Sequence, residues 1–325
     1  NFEFICPNTV DRMLMVPNDD YVSNQYSLIN LDLYQAWELT KGNSSVKIGV
    51  LDSGIPMQNG DLCHEDLNST SKFLLGEDVT DDNDGIQDSS GHGTHVSGII
   101  GALTNNSNGI AGGNWNSKIY INQVFENDGS GSALYFYNGI VNAVDNGCKV
   151  INYSGGGSAN ALKETAIQYA NSHNVLLIVA AGNNNGGSLD YPGAYANQYG
   201  NLICVSALNS QDRFASFSSK GSSVTLSAPG ENILSTMPNY HVLLNDEGHS
   251  QNYSYMNGTS MAAPNVTAVA SLLLSMYPSL TATQLKQKLI DSTDDIQYYD
   301  SGSDLTPKLA PQFKLVFHDF HNIFQ

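Results

Sequence analysis

The sequence predicts an α/β fold: a doubly wound, mostly parallel sheet flanked by helices in three layers. Three observations carry that expectation. Short apolar, β-branched runs alternate along the chain with longer helix-like stretches, the pattern of repeated strand–helix units. The strand-like runs are apolar throughout rather than on alternate residues, as strands buried on both faces are. The chain has 325 residues, of which 41% are hydrophobic, enough to bury one large core.

The elements follow in order. Residues 1–27 are mixed and turn-rich and read as an arm laid on the surface. Val46–Asp52, Lys118–Phe125, Lys149–Ser154, Val175–Ala181 and Leu202–Ala207 read as short buried strands, and Val224–Ala228 as a further one. Between them, His92–Leu103, Ser132–Asn146 and Ala161–Asn171 have helical character. Thr259–Met276 and Thr281–Ser292 continue as helices, the second opened by a threonine cap. No linker or internal repeat divides residues 28–296, so they read as one domain. The pattern fades from Gln297, which leaves residues 297–325 as a tail with no assigned role.

Composition narrows the partners. Thirteen basic against thirty-one acidic residues give a net charge of −18, which argues against nucleic acid and anionic membranes and fits a protein carrying cations. The apolar run Val175–Ala181 is far too short to cross a bilayer. Asn1 carries no initiator methionine and no signal-like region, so the chain reads as a trimmed product. Four cysteines have no metal-ligand spacing. Cys148 and Cys204 read as buried thiols, while Cys6 and Cys63 lie in loop-like sequence where a disulfide or two thiols both fit.

Three segments carry chemistry. Val50-Leu51-Asp52-Ser53-Gly54 ends an apolar strand on a carboxylate; Gly91-His92-Gly93-Thr94-His95 opens a helix on an imidazole. Asn257-Gly258-Thr259-Ser260-Met261-Ala262-Ala263-Pro264 sets a hydroxyl between a glycine turn and a long apolar helix. A serine hydroxyl needs a base, and that base needs an orienting group. Asp52 as orienter, His92 as general acid/base and Ser260 as nucleophile supply all three, in one of the known chain orders for such a triad. Singly, each segment has a plainer reading: a turn, a helix start or an N-cap. His92 and His95 also share a helix face and could hold a metal, but no nearby glutamate completes a zinc-hydrolase pattern.

In combination these segments resemble the subtilisin-like serine proteases, in their thermitase-like and bacterial branch. The resemblance runs from about Pro17 to Asp295 and includes Phe214–Ser218 and Ala228–Glu231. It implies a secreted, monomeric serine endopeptidase acting on polypeptides through an acyl-enzyme. It also implies a removed pro-segment that serves as inhibitor and folding aid. A catalytically silent domain used for binding or assembly is the competing reading. Ala180-Ala181-Gly182-Asn183 is similar to the family segment whose side-chain amide, here Asn183, faces the oxyanion. Gly129-Ser130-Gly131 and Ser154-Gly155-Gly156-Gly157 match the segments that flank the substrate backbone. Gly155 stands where the family has a larger residue, which implies a more open pocket edge. Phe125, Ser132 and Phe136 fall where an apolar S4 pocket would be, and the expected P1 residue is apolar or aromatic. His95 is structural in this family.

Cations enter by the same route. Asp78 to Asp88 packs five carboxylates into eleven residues, a density that suits Ca²⁺ or else a solvated acidic loop. The stretch looks like a thermitase calcium loop, which implies Asp78, Asp81, Asn83, Gln87 and the Gly85 carbonyl as ligands, with Asp84 or Asp88 in reserve. A second implied site joins Asp19, Asp66 and Asn106 with the carbonyls of Leu103, Asn108 and Ile110. Three departures stand out: Asn265 for a histidine after Ala-Ala-Pro, Glu65 for a proline, and a tail without the usual closing strand motif, for which Leu315–Phe317 is the candidate.

Overall fold

A computed structural model describes residues 15–82, 85–295 and 313–315. In chain order its elements are α1 (Tyr26–Asn30), α2 (Leu33–Leu39), β1 (Lys47–Asp52), β2 (Met57–Gln58), β3 (Asp61–Leu62), β4 (Phe73–Asp78), α3 (His92–Gly101), β5 (Lys118–Gln123) and α4 (Ala133–Asp145). They continue with β6 (Val150–Tyr153), α5 (Ala161–Ser172), β7 (Leu176–Ala180), β8 (Leu202–Leu208), β9 (Leu226–Pro229), β10 (Ile233–Thr236), α6 (Leu243–Asp246), β11 (Tyr253–Met256), α7 (Thr259–Met276), α8 (Ala282–Asp291), β12 (Thr293–Asp295) and β13 (Phe313–Leu315).

Seven strands pair in parallel in the order β9-β8-β7-β6-β1-β5-β4. The central ones are buried along nearly their whole length, which is why they read as unbroken apolar runs. From β1 the chain moves to β4 and β5 on one side, then crosses to β6 on the other. The connections therefore diverge at the carboxyl ends of β1 and β6 and leave a crevice there. Leu51 pairs with Tyr153, so Asp52 and Ser154 are the next residues of two neighbouring strands at that crevice.

Helices cover both faces. On one, Phe136, Ile140 and Ala143 of α4 and Ile167 and Ala170 of α5 pack on Leu51, Ile151, Leu177 and Val179. On the other, Val266, Val269 and Leu273 of α7 meet Ile178, Ile203 and Val205, while Val96 and Ile100 of α3 meet Ile48, Val50 and Ile119. α7 has the length and apolar content of a membrane span, but 83% of it is buried inside the protein, as a core helix is. Local signals set the helix starts: Ser132 and Asn160 accept the amides of Tyr135 and Leu162, and Thr281 forms a capping box with Gln284.

Four elements extend the sequence expectation. β4 is an acidic edge strand with an irregular register between Leu75 and Asp78, and it carries little apolar signal. β10 and β11 form an antiparallel hairpin. β13 lies within the stretch assigned to the tail, adds to the sheet beside β9 and pairs antiparallel with β12. Of the arm, residues 1–14 and with them Cys6 lie outside the described residues, as does most of the tail. The rest of the arm is pinned where Gln25 exchanges two hydrogen bonds with the Ala111 backbone. Cys148 and Cys204 are buried thiols, each pushed up to about 12 chiefly by burial.

Candidate active site

Asp52 ends β1, is fully buried, and lies 2.6 Å through Oδ1 from His92 Nδ1. The same oxygen accepts the Ser53 amide. His92 is the first residue of α3, preceded by Gly91 in the left-handed region at φ 96°. Gly93 is required by space, since a Cβ there would stand 2.5 Å from the Gly54 carbonyl oxygen. Burial alone would push the His92 pKa down. The Asp52 charge and hydrogen bond, with Asp88 behind them, outweigh that and hold it above the ordinary histidine range.

Asp88 anchors the start of this helix. It is fully buried and accepts from Ser53 Oγ, from the amides of Ser90, Gly91 and Thr94, and from the Thr94 hydroxyl. It is thus a helix-terminus anchor and not the reserve calcium ligand that the acidic run suggested. Its oxygens are already filled by protein donors.

Ser260 is the second residue of α7, a helix packed against α3. Its hydroxyl donates to the Ser154 carbonyl (3.1 Å), while the Ser154 hydroxyl donates to the Ser260 carbonyl (2.8 Å). Asn183 follows β7, and its Oδ1 accepts both the amide and the hydroxyl of Thr259. Fixing the amide oxygen leaves Nδ2 to face the other way. The point where a Cβ on Gly258 would stand lies 3.5 Å from both Asn183 Nδ2 and the Ser260 amide nitrogen. The Asn183 amide nitrogen and the Ser260 amide nitrogen therefore border one space beside Gly258, with Met261 Sδ at the same distance. Asn265, the replacement after Ala-Ala-Pro, is buried and donates to the carbonyls of Pro229 and Met261. It ties α7 to the end of β9.

The two glycine segments border this region differently. Residues 125–131 form a closed loop in which Phe125 bridges Gly131 and the Glu126 amide donates to the Ser130 carbonyl; Gly129 sits at φ 80°. Gly155 was expected to open the pocket edge. Instead a Cβ there would stand 2.3 Å from Phe125 Cζ and 2.9 Å from Tyr153 Cζ, so the stacked rings of Phe125 and Tyr153 take that space. Phe136 is corrected from a pocket wall to a core residue: it is 1% exposed and packs edge-on to Tyr153, because α4 turns its apolar face to the sheet. Ser132 is the α4 cap. His95 is fully buried with Nε2 against the Ser254 carbonyl, and burial foremost lowers its pKa to about 3. That removes the metal-pair reading.

Of the cation ligands, Asp19, Asp66 and Asn106 come together. Asp19 accepts the amides of Asn105 and Asn106; Asp66 accepts from Asn106 Nδ2, the Ile110 amide and Tyr253 Oη. Leu103 and Ile110 join through their backbones, the Leu103 amide donating to the Asp66 carbonyl. Asn108 folds onto Asn106. Glu65, the proline replacement, accepts the Tyr253 hydroxyl. Both aspartates are buried with no cationic side chain within 4.0 Å among the described residues. Each carboxylate oxygen already accepts an N–H or O–H donor, so these side chains meet as a hydrogen-bonded cluster; the lack of a nearby positive charge is what would suit a hard divalent cation. Among the described ligand candidates of the acidic loop, Asp78 and Gly85 meet, and Gly85 does so through its amide, which donates to Asp78 Oδ2, not through the expected carbonyl; Asp84 lies outside the described residues. Asp81 and Gln87 are exposed, and Asn83 lies outside the described residues.

Comparison with known proteins supplies the family. A sequence profile of the Subtilase family, Peptidase_S8, matches residues 43–310. Thermitase of Thermoactinomyces vulgaris is 37% identical over 282 residues, covering 86% of this chain and 92% of that protein. The thermophilic serine proteinase of Bacillus sp. (strain AK1) is 35% identical over 296 residues, covering 90% and 68%. A solved protease from Pseudoalteromonas arctica PAMC 21717 superposes with a TM-score of 0.72 at 28% identity, covering 86% of this chain and 92% of the other. The chain belongs to the subtilase family of serine endopeptidases.

Proposed function

We propose that Ser260, His92 and Asp52 are the triad of this endopeptidase, with the domain of residues 28–296 secreted and stabilised by Ca²⁺. The observation that carries the reading is the part-buried 2.6 Å Asp52–His92 pair at the crevice, with Ser260 held at the end of the neighbouring strand by Ser154. In a catalytic cycle the Ser260 hydroxyl turns from the Ser154 carbonyl to His92. The imidazole takes its proton as the oxygen attacks the peptide carbonyl, and Asp52 steadies the resulting cation. Asn183 Nδ2 and the Ser260 amide receive the oxyanion. His92 then protonates the leaving amine, and water releases the acyl group by the same steps in reverse. Segments 129–131 and 154–156 hold the substrate backbone on either side. A pro-segment acting as inhibitor and folding aid, and a monomeric mature enzyme, complete the proposal.

The test is labelling with a fluorophosphonate and mapping of the adduct. An adduct on Ser260, with activity indifferent to a zinc chelator, supports the reading. A folded protein that stays unlabelled would return the silent binding domain to the front.

Two further outcomes follow from the geometry. Asn183→Ala is expected to lower kcat about 10²–10³-fold with little change in KM, the scale seen for an amide donor of this kind in a subtilisin. A raised KM with kcat unchanged would show that the amide binds substrate instead. The acid limb of activity should lie above about pH 6.5, the ordinary histidine value. The sign follows from the cation: protonated His92 accepts no proton, and Asp52 favours that form up to a higher pH. In Asp52→Asn the limb should shift towards acid as kcat falls about 10⁴-fold; a limb that stays in place in the pH–rate profile would remove Asp52 from the assignment.

Ca²⁺ would be held by Asp19, Asp66 and Asn106 with nearby carbonyls and would neutralise two buried carboxylates that join the arm to the core. Saturation at about 100 times Kd contributes about 2.7 kcal/mol by mass action. Chelation should therefore lower Tm by several degrees, and Asp66→Asn should abolish the calcium response. A melting curve indifferent to chelator would refute the site.

A further inference from the structure

The slot that leads away from the Ser260 hydroxyl ends on a carboxylate. Its walls are Ser154–Gly157, which begins at the Ser260 contact, and Ala180–Asn183, which ends at the oxyanion-facing amide. Residues 190 and 191 cross its far end. The Asp190 amide donates to the Ala181 carbonyl on one wall, and the Tyr191 amide donates to the Gly157 carbonyl on the other. The Asp190 side chain projects between the walls. A Cβ on Gly156 would stand 2.6 Å from Asp190 Cβ and 3.0 Å from its Oδ2, and a Cβ on Gly182 only 2.5 Å from that same oxygen. A Cα–Cβ bond adds about 1.5 Å, so one carboxylate oxygen lies within about 4.5 Å of the backbone of both walls.

That oxygen is available. Asp190 Oδ1 accepts from Asn184 Nδ2 at 3.0 Å, while Oδ2 accepts no hydrogen bond among the described residues. No cation lies within 4.0 Å of Asp190 among them either. Lys163 is close enough to feel the charge, but its ammonium is committed to the carbonyls of Tyr191 and Ser158. Glycines at 156, 157 and 182 leave these walls without side chains of their own, the Phe125 and Tyr153 rings fill the Gly155 side, and the Asp190 carboxylate stands between the walls, with the Lys163 ammonium 3.5 Å from where a Cβ on Gly157 would be.

We propose that Asp190 selects a cationic P1 side chain, so that the enzyme cleaves after arginine or lysine. This rests on the triad reading above, because the slot is an S1 pocket only if Ser260 attacks at its mouth. The physical reason is asymmetry of cost. An aromatic or aliphatic side chain entering the slot strips water from a carboxylate and returns nothing. A guanidinium or ammonium replaces that water with a charge-assisted hydrogen bond. The net charge of −18 adds long-range attraction for cationic peptides. The apolar P1 expected from sequence gives way to this reading, because the Gly155 edge is filled by rings and the far end is ionic.

The experiment measures kcat/KM on one peptide series that varies only in P1 (Arg, Lys, Leu, Phe, Glu), with active sites counted by fluorophosphonate titration. Wild type is expected to favour Arg and Lys over Phe by about tenfold to a hundredfold, with Glu poorest. Asp190→Asn should lose that advantage while its Leu and Phe rates persist. Benzamidine, a cationic probe of the slot, should inhibit wild type competitively and the variant weakly. A titratable wild type that prefers Phe or Leu would overturn the proposal, as would an Arg preference undiminished in Asp190→Asn. Should the variant fail to fold, indifference of wild-type Leu hydrolysis to benzamidine overturns it equally. A wild type that neither labels nor cleaves any member defeats the endopeptidase reading itself, and this inference with it.

Discussion

Ser260→Ala is expected to lower kcat about 10⁶-fold, the scale found when the nucleophile of a subtilisin triad is removed. The fold should persist. The hydroxyl makes one hydrogen bond, to the Ser154 carbonyl, and a typical bond of that kind contributes about 1 kcal/mol. α7 is held by its buried apolar length, not by its first turn. Peptide hydrolysis and a thermal melt, run on the same preparation, separate the two effects. Residual turnover above about 1% of wild type would contradict the triad arithmetic and mean that another group attacks. The measurement is sharper than deletion of His92 or Asp52, since those changes also disturb a buried charged pair.

Asp88→Ala is expected to give the largest loss of stability, more than about 3 kcal/mol. The substitution leaves five donors without an acceptor in a site closed to water: the Ser53 and Thr94 hydroxyls and the amides of Ser90, Gly91 and Thr94. Asp88→Asn should be little better, because its amide turns donors towards donors. Activity should fall beyond what unfolding explains. Gly91 and Thr94 flank His92, and the Ser53 hydroxyl that Asp88 holds also accepts the Gly93 amide. Urea unfolding gives the stability, and kcat at a temperature where the variant is folded gives the positional effect. A variant as stable as wild type would show that these donors find other acceptors.

The parts of this protein that sequence made legible are those whose signal is local. Buried parallel strands announce themselves as short apolar runs, and β1, β5, β6, β7 and β8 lie within a residue or two of the expected bounds. Helices α4 and α8 carry their own caps. The edge strand β4 escaped because half its residues face outward and two are acidic. β13 was expected two residues late, at Leu315–Phe317, because a three-residue strand is specified by its neighbour β9 and not by its own pattern.

The site divides the same way. Asp52, His92 and Ser260 each sit at the end of a regular element in a segment whose residue types suit the chemistry, so sequence could nominate them, and the family resemblance added Asn183. Asp88 could not, because in an acidic run one carboxylate looks like another until five donors are found around it. Phe136 read as a pocket wall because periodicity shows that a face is apolar but not what it meets. Gly155 read as an opening because nothing in its own segment says that Phe125, thirty residues earlier, fills the gap. Asp190 sits in a polar loop after Asn183 and acquires meaning only when backbone pairing with Ala181 and Gly157 sets it across the slot. Sequence by itself determined the fold class and the reaction class and nominated the residues proposed for it, since propensity, burial pattern and motif are written in consecutive residues. Tertiary structure alone decided what fills the Gly155 side, what anchors the start of α3 and which carboxylate lies between the two glycine segments. Those depend on contacts between distant segments, whose pairing no local pattern encodes.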